Sequence, residues 1–294
     1  MKKIFEGVGV AIVTPFNNGK IDYISFQNLI EHTIASGSDA IIILGTTGES
    51  CTISKTERTE IIKFCKKIIN NRVSLIVGTG NNNFETCFLN SLEAKFLGAD
   101  ACLVVTPYYN KTSQQGIIKY YSELAKIKIP LIIYNVPTRT GLNIELDTLK
   151  KIISTNKYVY GIKECCSNAN RLVELMQICK NKIAVYSGED CLNYVYYTLG
   201  ASGTISVTAN AFCSQVKKVF TYFQKKEFDK SLKQQNKLSS INQLMFVETN
   251  PMPVKYFLKN LKLINSCETR LPLIELNKNN KGKIKKYLKN IKKL

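Results

Sequence analysis

The chain has 294 residues, of which 45% are hydrophobic, and this is enough to bury one large core or two modest ones. It contains one histidine, His32, which excludes zinc sites built from several histidines and leaves chemistry to hydroxyls, lysine, arginine and carboxylates. No run of about 18 apolar residues occurs, so no membrane partner is expected.

The formal net charge of +19 raises nucleic-acid binding as a hypothesis. The positive residues are spread along the chain and become denser in the C-terminal stretch 277–294. Apolar residues from Ile284 to Ile291 recur there at helical spacing, which predicts an amphipathic helix with a basic outer face. Because lysine, asparagine and isoleucine are abundant throughout, we favour compositional drift over a functional basic surface, and we expect no nucleic-acid partner.

The ten cysteines include no C-x-x-C pair, and the apolar start of the chain is short and interrupted by Glu6. This start is interpreted as a first strand rather than an export signal. Reduced thiols and a cytoplasmic location are therefore expected, with no metal site.

Short β-branched runs alternate with longer amphipathic runs along the chain. Strands are predicted at 8–14, 39–45, 73–79, 101–107, 130–136, 158–164, 182–188 and 202–208. Helices are predicted at 23–36, 55–70, 84–97, 114–127, 145–153, 168–179 and 190–199. Apolar strands that alternate with helices indicate a parallel sheet covered by helices. Eight such units favour a closed (β/α)₈ TIM barrel, with an open doubly wound sheet as the alternative.

The pattern changes after the eighth strand. Residues 211–294 contain no good strand and are typical of several helices, with breaks near Asn250-Pro251 and Leu271-Pro272. The sequence therefore predicts a catalytic barrel at 1–224 and a C-terminal helical segment at 225–294.

Lys163 stands where the apolar run YVYGIKE should finish as a strand. Reactive residues of a barrel collect at the C-terminal ends of its strands. Burial lowers the pKa of a lysine, and the neutral amine can attack a ketone to form a Schiff base. Tyr134 ends the preceding strand and could relay protons in place of histidine. The alternative is a lysine whose charged end simply reaches water.

Two further strand ends suggest anion binding. GTTGES (45–50) offers backbone N–H groups and two hydroxyls to a small carboxylate, although a tight turn before the SKTE capping box (54–57) would look similar. Arg139 in PTRTG could grip a carboxylate with two parallel hydrogen bonds, or could be a solvated loop residue. No glycine-rich nucleotide motif is present.

The ordered motifs GTTGES, TPYYN, YNVPTRTG, GIKE, SGED and ISVTAN, followed by FVETNPMPVK and RLPL, resemble the dihydrodipicolinate synthase family over essentially the whole chain. The resemblance implies a (β/α)₈ barrel with a C-terminal helical segment and a homotetramer of two tight dimers. It also implies that pyruvate condenses with L-aspartate 4-semialdehyde, in lysine and diaminopimelate biosynthesis, without a cofactor.

By this resemblance, Lys163 is the Schiff-base lysine that takes pyruvate. The proton relay would consist of Thr46, Tyr134 and Tyr109, the last reaching in from a neighbouring subunit. The imine would become an enamine, attack the aldehyde, and be released when the substrate amine displaces Lys163 and closes the ring.

The resemblance also assigns substrate contacts. Thr46 and Thr47 match the pocket for the carboxylate of pyruvate, and Arg139 matches the residue that grips the carboxylate of the semialdehyde. Gly188 and Ile205 match positions that line the site, where backbone carbonyls assist.

A lysine effector pocket belongs to some members of this family. Its matching positions here are Ser50, Asn82 and Tyr108, whereas Lys55 and Arg58 replace histidines and Thr86 replaces a glutamate. Added positive charge and a lost carboxylate disfavour a cationic ligand, so weak or absent lysine feedback is expected.

Two other functions stay open. A related keto-acid aldolase, such as an N-acetylneuraminate lyase, would share Lys163 and the GTTGES-type loop, and Arg139 together with TPYYN favours the synthase. A basic, non-catalytic nucleic-acid-binding protein is the alternative from a different class, and it would need its charge concentrated on one face.

Overall fold

The structure, a computed structural model, describes residues 3–291 and shows a closed barrel of eight parallel strands, as predicted. The strands are β1 Gly7–Ala11, β2 Ala40–Ile43, β3 Ser74–Gly78, β4 Ala101–Val105, β5 Leu131–Asn135, β6 Val159–Glu164, β7 Ala184–Ser187 and β8 Gly203–Ser206. Each strand pairs with the next along the chain, and β8 closes the ring on β1. The open-sheet alternative is thereby excluded.

Helices follow the strands and cover the outside of the barrel. They are α1 Tyr23–Ala35, α2 Lys55–Ile69, α3 Phe84–Phe96, α4 Gln114–Ala125, α5 Pro137–Thr140, α6 Leu146–Thr155, α7 Ala169–Cys179, α8 Asn193–Thr198, α9 Ala209–Gln224, α10 Phe228–Leu244, α11 Met252–Asn260 and α12 Lys278–Ile291. Within the described residues, no helix is long and apolar enough to cross a membrane.

The predicted capping box starts α2. Ser54 accepts a hydrogen bond from the Glu57 backbone N–H, and the Glu57 carboxylate accepts one from the Ser54 N–H. These two bonds satisfy backbone donors that a helix start leaves free. The helix therefore begins five residues after the GTTGES loop ends, so the loop and the helix cap are separate features.

The barrel interior is filled with side chains at its N-terminal end. Phe5, just before β1, stacks on Tyr186 of β7 with ring centroids 4.3 Å apart. The Tyr186 hydroxyl also donates to the Phe5 carbonyl at 3.0 Å. Around them lie further buried interior residues from several strands, including Ile42, Ile76 and Ile132. The open end of the barrel is therefore the C-terminal one, where loops lead to helices.

The structure adds short elements that the sequence pattern misses, among them a hairpin, and shortens the first strand. The predicted strand 8–14 ends at Ala11, because the Val13 N–H binds the Asn210 side chain rather than a neighbouring strand. A hairpin of Phe16–Asn17 with Lys20–Ile21 follows. The single turn α5 occupies the segment interpreted as a proline turn.

Beyond the barrel, the C-terminal residues are helical as expected. α10 packs on α9, and the predicted boundary at 225 lies in the turn between them; the division into two domains stays a prediction. α12 buries Ile284 and Leu288, and the side chain of Ile291 and residues 292–294 lie outside the described part. Its apolar face therefore packs on the molecule, while most of its lysines stay exposed.

Candidate active site

Lys163 lies on β6, near the open end of the barrel, in line with Tyr134 on β5 and Tyr186 on β7. The residue is only 6% exposed, and its Nζ lies 4.4 Å from the centre of the Tyr134 ring. Burial lowers the pKa of Lys163 below its usual 10.5, although the carboxylates of Glu189 and Asp190 act in the opposite direction. A larger fraction of this amine is therefore neutral and nucleophilic than for a lysine in water.

Tyr134 is a buried phenol beside that amine. Burial raises the pKa of Tyr134 well above its usual value, and a hydrogen bond with the Thr46 side chain offsets only part of this effect. The phenol is therefore protonated over the physiological pH range. A protonated hydroxyl next to a neutral amine can donate and accept protons during imine formation.

These side chains open onto a cavity of about 360 Å³ at the C-terminal ends of the strands. Most of the residues predicted from the sequence line it, namely Thr46, Thr47, Tyr134, Arg139, Lys163 and Gly188. Apolar side chains such as Ile42, Leu103 and Val136 form other parts of its wall. The combination suits a small, charged molecule with an apolar carbon skeleton.

The GTTGES loop is a compact turn. The Gly45 carbonyl accepts hydrogen bonds from the N–H groups of Gly48 and Ser50 at 3.1 and 3.4 Å, and the Thr46 carbonyl accepts one from Glu49 at 3.1 Å. Thr47 is buried, and its hydroxyl accepts a hydrogen bond from the Asn250 amide at 2.9 Å. The turn therefore presents two neighbouring threonine hydroxyls at the cavity.

Arg139 lies on the single turn α5 at the exposed rim of the cavity. The turn ends at Gly141, whose φ of 66° is in the left-handed region that favours glycine. Within residues 3–291, no hydrogen bond or ion pair engages the Arg139 guanidinium. Both of its edges are thus available to a carboxylate that enters the cavity.

Because Gly188 has no side chain, it leaves space for the Lys163 side chain. A Cβ at this position would lie 2.3 Å from the Cys165 sulfur and 3.0 Å from Cε of Lys163. The Gly188 carbonyl accepts a weak hydrogen bond from the Cys165 thiol at 3.5 Å. Ile205, on β8, is buried inside the barrel and does not line the cavity with its side chain.

Tyr109 stands apart from this cavity. It follows β4 in an outer loop and is 90% exposed. Its φ of 71° is in the left-handed region, which costs a bulky residue about 1–3 kcal/mol unless its surroundings require it. The single chain therefore does not bring Tyr109 to Lys163.

Three groups near the site are missed by the sequence analysis. Asn250 lines the cavity, and Glu49 pairs with Lys255 of α11 in the protein interior. Asn250 lies at a position interpreted only as a break before a proline. Glu164, which the sequence leaves unexplained, is fully buried and forms an ion pair with Arg171 at 3.0 Å.

Glu164 has a structural role on the outer side of β6. Its carboxylate accepts a hydrogen bond from Asn135 at 2.8 Å, and Asn135 also donates to Asn143 at 2.8 Å. Burial raises the pKa of Glu164, although Arg171 acts in the opposite direction. The network anchors the segment that carries Arg139.

A second cavity, of about 400 Å³, lies beside the GTTGES loop. It contains five of the six positions that resemble an effector site, Ser50, Lys55, Arg58, Thr86 and Tyr108. Asn82 does not line it, and its carbonyl instead accepts a hydrogen bond from Asn110 at 3.0 Å. Arg58 is buried, donates to the Gly78 carbonyl at 3.1 Å and lies 3.7 Å from Glu93.

Comparison with known proteins finds relatives that match nearly the whole chain. A protein of Thermodesulfovibrio yellowstonii named 4-hydroxy-tetrahydrodipicolinate synthase is 42% identical over 287 residues, which cover 97% of this chain and 98% of the relative. The crystal structure of dihydrodipicolinate synthase from Aquifex aeolicus superposes with a TM-score of 0.95 at 37% identity and covers 98% of each chain. The enzyme of Acinetobacter baumannii, solved in complex with pyruvate, gives a TM-score of 0.93 at 37% identity and covers 97% of this chain and 98% of its own.

Residues 4–291 match the dihydrodipicolinate synthetase family. The match spans both the barrel and the C-terminal helices, so it includes every element that contributes to the cavity. The chain belongs to the dihydrodipicolinate synthetase family.

Proposed function

We propose that this protein condenses pyruvate with L-aspartate 4-semialdehyde to give 4-hydroxy-tetrahydrodipicolinate, as a lyase of lysine and diaminopimelate biosynthesis. The observation that carries this proposal is the buried amine of Lys163, which has no ion pair or hydrogen bond within residues 3–291 and lies beside the Tyr134 phenol at the base of a small cavity. The names of the relatives supply the reaction.

The first step forms the Schiff base. The neutral Lys163 amine attacks the ketone carbon of pyruvate, and the carbinolamine loses water to give a protonated imine. Thr46 and Tyr134 carry the protons that the hydroxyl needs in order to leave, while the loop at Thr46 and Thr47 holds the pyruvate carboxylate. Hydroxyls that are protonated at neutral pH suit this relay.

The second step forms the carbon–carbon bond. The imine loses a proton from its methyl carbon and becomes an enamine, whose carbon attacks the aldehyde while a proton reaches the new alkoxide. Arg139 holds the carboxylate of the semialdehyde at the rim of the cavity. The substrate amine then attacks the imine carbon, closes the ring and releases Lys163. The protonated imine accepts the electron pair during these steps, so no cofactor is required.

The assembly belongs to the same proposal. Tyr109 would complete the proton relay of a neighbouring subunit in a tetramer built from two tight dimers. Its high exposure and its left-handed backbone in the single chain support a contact outside this chain. All ten cysteines, each within the described residues, are unpaired, which supports a reducing compartment such as the cytoplasm.

A coupled steady-state assay with pyruvate and L-aspartate 4-semialdehyde tests this function. Turnover is expected, and borohydride should trap pyruvate on Lys163 in the wild-type protein and not in Lys163→Ala. Lys217→Ala is the matched control, since that lysine lies in an ion pair with Asp39, which directly precedes β2. Cleavage of N-acetylneuraminate in place of the condensation would overturn the proposal and favour a lyase of that class. Salt-sensitive DNA binding without turnover would favour the nucleic-acid-binding alternative.

A further inference from the structure

Lys255 and Glu49 form an ion pair inside the protein, where neither side chain is exposed to water. Lys255 belongs to α11, and Glu49 belongs to the GTTGES loop, 206 positions earlier in the chain. The pair therefore connects the C-terminal helical segment directly with the loop that carries Thr46 and Thr47.

Both partners are fully engaged. The Lys255 ammonium also donates to the Glu268 carbonyl at 2.8 Å and lies 4.2 Å from the centre of the Phe16 ring. The second carboxylate oxygen of Glu49 accepts a hydrogen bond from the Arg270 N–H at 3.0 Å. Arg270 stacks on the same Phe16 ring, with its guanidinium carbon 4.4 Å from the centre. Such complete satisfaction fixes the position of the Glu49 side chain.

The backbone links the Glu49 side chain to the two threonines. Glu49 has a φ of 56°, in the left-handed region, and its N–H donates to the Thr46 carbonyl at 3.1 Å. Asn250, just before α11, holds the Thr47 hydroxyl at 2.9 Å. The C-terminal segment thus binds this turn at two positions, Thr47 and Glu49.

A buried ion pair is seldom the most stabilising choice for an interior position, because two charges must leave water and apolar side chains of similar size serve as well. The pair between Lys255 and Glu49 instead defines a direction, since it is satisfied only in one arrangement of the loop and α11. This property indicates that the pair positions the loop relative to α11 and does not serve stability alone.

We propose that Lys255 and Glu49 are positioning residues for pyruvate, which hold the Thr46–Thr47 turn where its hydroxyls meet the keto acid's carboxylate. This inference rests on the proposed function. The C-terminal segment then acts as a part of the pyruvate site, while the semialdehyde contact at Arg139, on α5 after β5, is independent of it. Misplacement of a substrate by about 1 Å can lower the rate by about 10²-fold.

The test uses three full-length variants: Glu49→Gln, Lys255→Met and the double variant. Only the double variant leaves no buried charge without its partner. Lys217→Met is the matched control, because it removes a partly buried ion pair with Asp39, which lies at the N-terminal end of β2, whereas the loop follows the C-terminal end of that strand. The dissociation constant of pyruvate is measured by borohydride trapping, KM for the semialdehyde by steady-state kinetics, and stability by thermal unfolding.

We expect the double variant to raise the dissociation constant and KM of pyruvate about tenfold and to lower kcat as well, because the same turn carries the Thr46 hydroxyl of the proton relay. KM for the semialdehyde should stay close to wild type. The control should lose stability without this change. If the double variant binds pyruvate as the control does, the inference is wrong. Should the double variant fail to fold, Glu49→Gln decides alone, with the same expected loss of pyruvate affinity, because its amide can still accept the hydrogen bond from the Arg270 backbone N–H. Wild-type protein that traps no pyruvate would contradict the proposed function instead.

Discussion

Two buried lysines, in two regions of the molecule, show what a partner does to an amine. Lys255, in the junction between α11 and the GTTGES loop, contacts a carboxylate, a carbonyl and an aromatic ring. Lys163, at the base of the cavity in the barrel, has no hydrogen bond or ion pair within the described residues and lies against the Tyr134 ring. Burial lowers the pKa of both lysines. The same residue type is therefore structural where it is paired and chemically available where it is not.

The largest expected effect comes from Gly188→Ala, which would crowd Lys163 and leave Lys255 untouched. The new Cβ would meet the Cys165 sulfur at 2.3 Å and Cε of Lys163 at 3.0 Å, so the Cys165 side chain must move and the Lys163 side chain must shift slightly. We expect kcat to fall about 10²-fold in the coupled assay.

Gly282→Ala is the control for this substitution, because a Cβ there meets nothing within 4 Å. Adding Cys165→Ala to Gly188→Ala should recover part of the loss by removing the closer obstacle. Unchanged turnover in Gly188→Ala would mean that Lys163 needs no such room.

Replacing Arg139 with glutamine sharpens the comparison at the rim of the cavity. A bidentate guanidinium is lost, so KM for the semialdehyde should rise about tenfold or more in steady-state kinetics, while the dissociation constant of pyruvate stays close to wild type. The positive charge of Arg139 also contributes to the lowered pKa of Lys163, so that pKa should rise.

Arg72→Gln serves as the control, since this surface arginine pairs with Glu31 away from the cavity. A selective rise in KM for pyruvate in Arg139→Gln would mean that the arginine contacts pyruvate and not the semialdehyde.

Deprotonation of the two lysines should have opposite effects on the reaction. The Lys163 amine becomes neutral as pH rises through its lowered pKa, so the rate of Schiff-base trapping at saturating pyruvate should level off below pH 10.5. Burial lowers the pKa of Lys255 to about 8, while Glu49, Glu268 and Cys267 around it act in the opposite direction. Above that pH, Lys255 loses its charge and Glu49 loses its partner, so pyruvate should bind more weakly.

Borohydride trapping at a series of pyruvate concentrations between about pH 7 and pH 9 separates these effects, because it reports rate and affinity independently. The double variant Glu49→Gln with Lys255→Met should keep the rise in rate and lose the change in affinity. A wild-type affinity that does not weaken with pH would contradict the role given to Lys255.

The smallest expected effect is the inhibition of the protein by free lysine. The cavity beside the GTTGES loop presents Lys55 and Arg58, and Thr86 offers no carboxylate to an ammonium. We expect little inhibition by lysine in the steady-state assay, because like charges repel. Thr86→Glu should increase inhibition. Potent inhibition of the wild-type protein at submillimolar lysine would show that this pocket accepts a cation despite its charge.

Local patterns predict the barrel and much of the site well. Apolar β-branched runs identify all eight strands, and their ends identify Lys163, Tyr134 and the GTTGES loop. The capping box at Ser54 and Glu57 needs only four consecutive residues. In contrast, Lys255 and Glu49 meet because the C-terminal helices fold back on the barrel, and nothing local in either segment encodes that partner. The hairpin at 16–21 is missed because two-residue strands carry no periodicity.

The stacked rings of Phe5 and Tyr186 have a consequence for the order in which molecules bind and leave. They fill its N-terminal end, so molecules reach Lys163 only from the opposite side. Lys163 lies buried in the cavity and Arg139 lies exposed at its rim, so under the proposed function the keto acid on the lysine lies beneath the semialdehyde held by the arginine. Under the proposed function, the keto acid therefore enters before the aldehyde, and the ring product leaves before the next keto acid arrives.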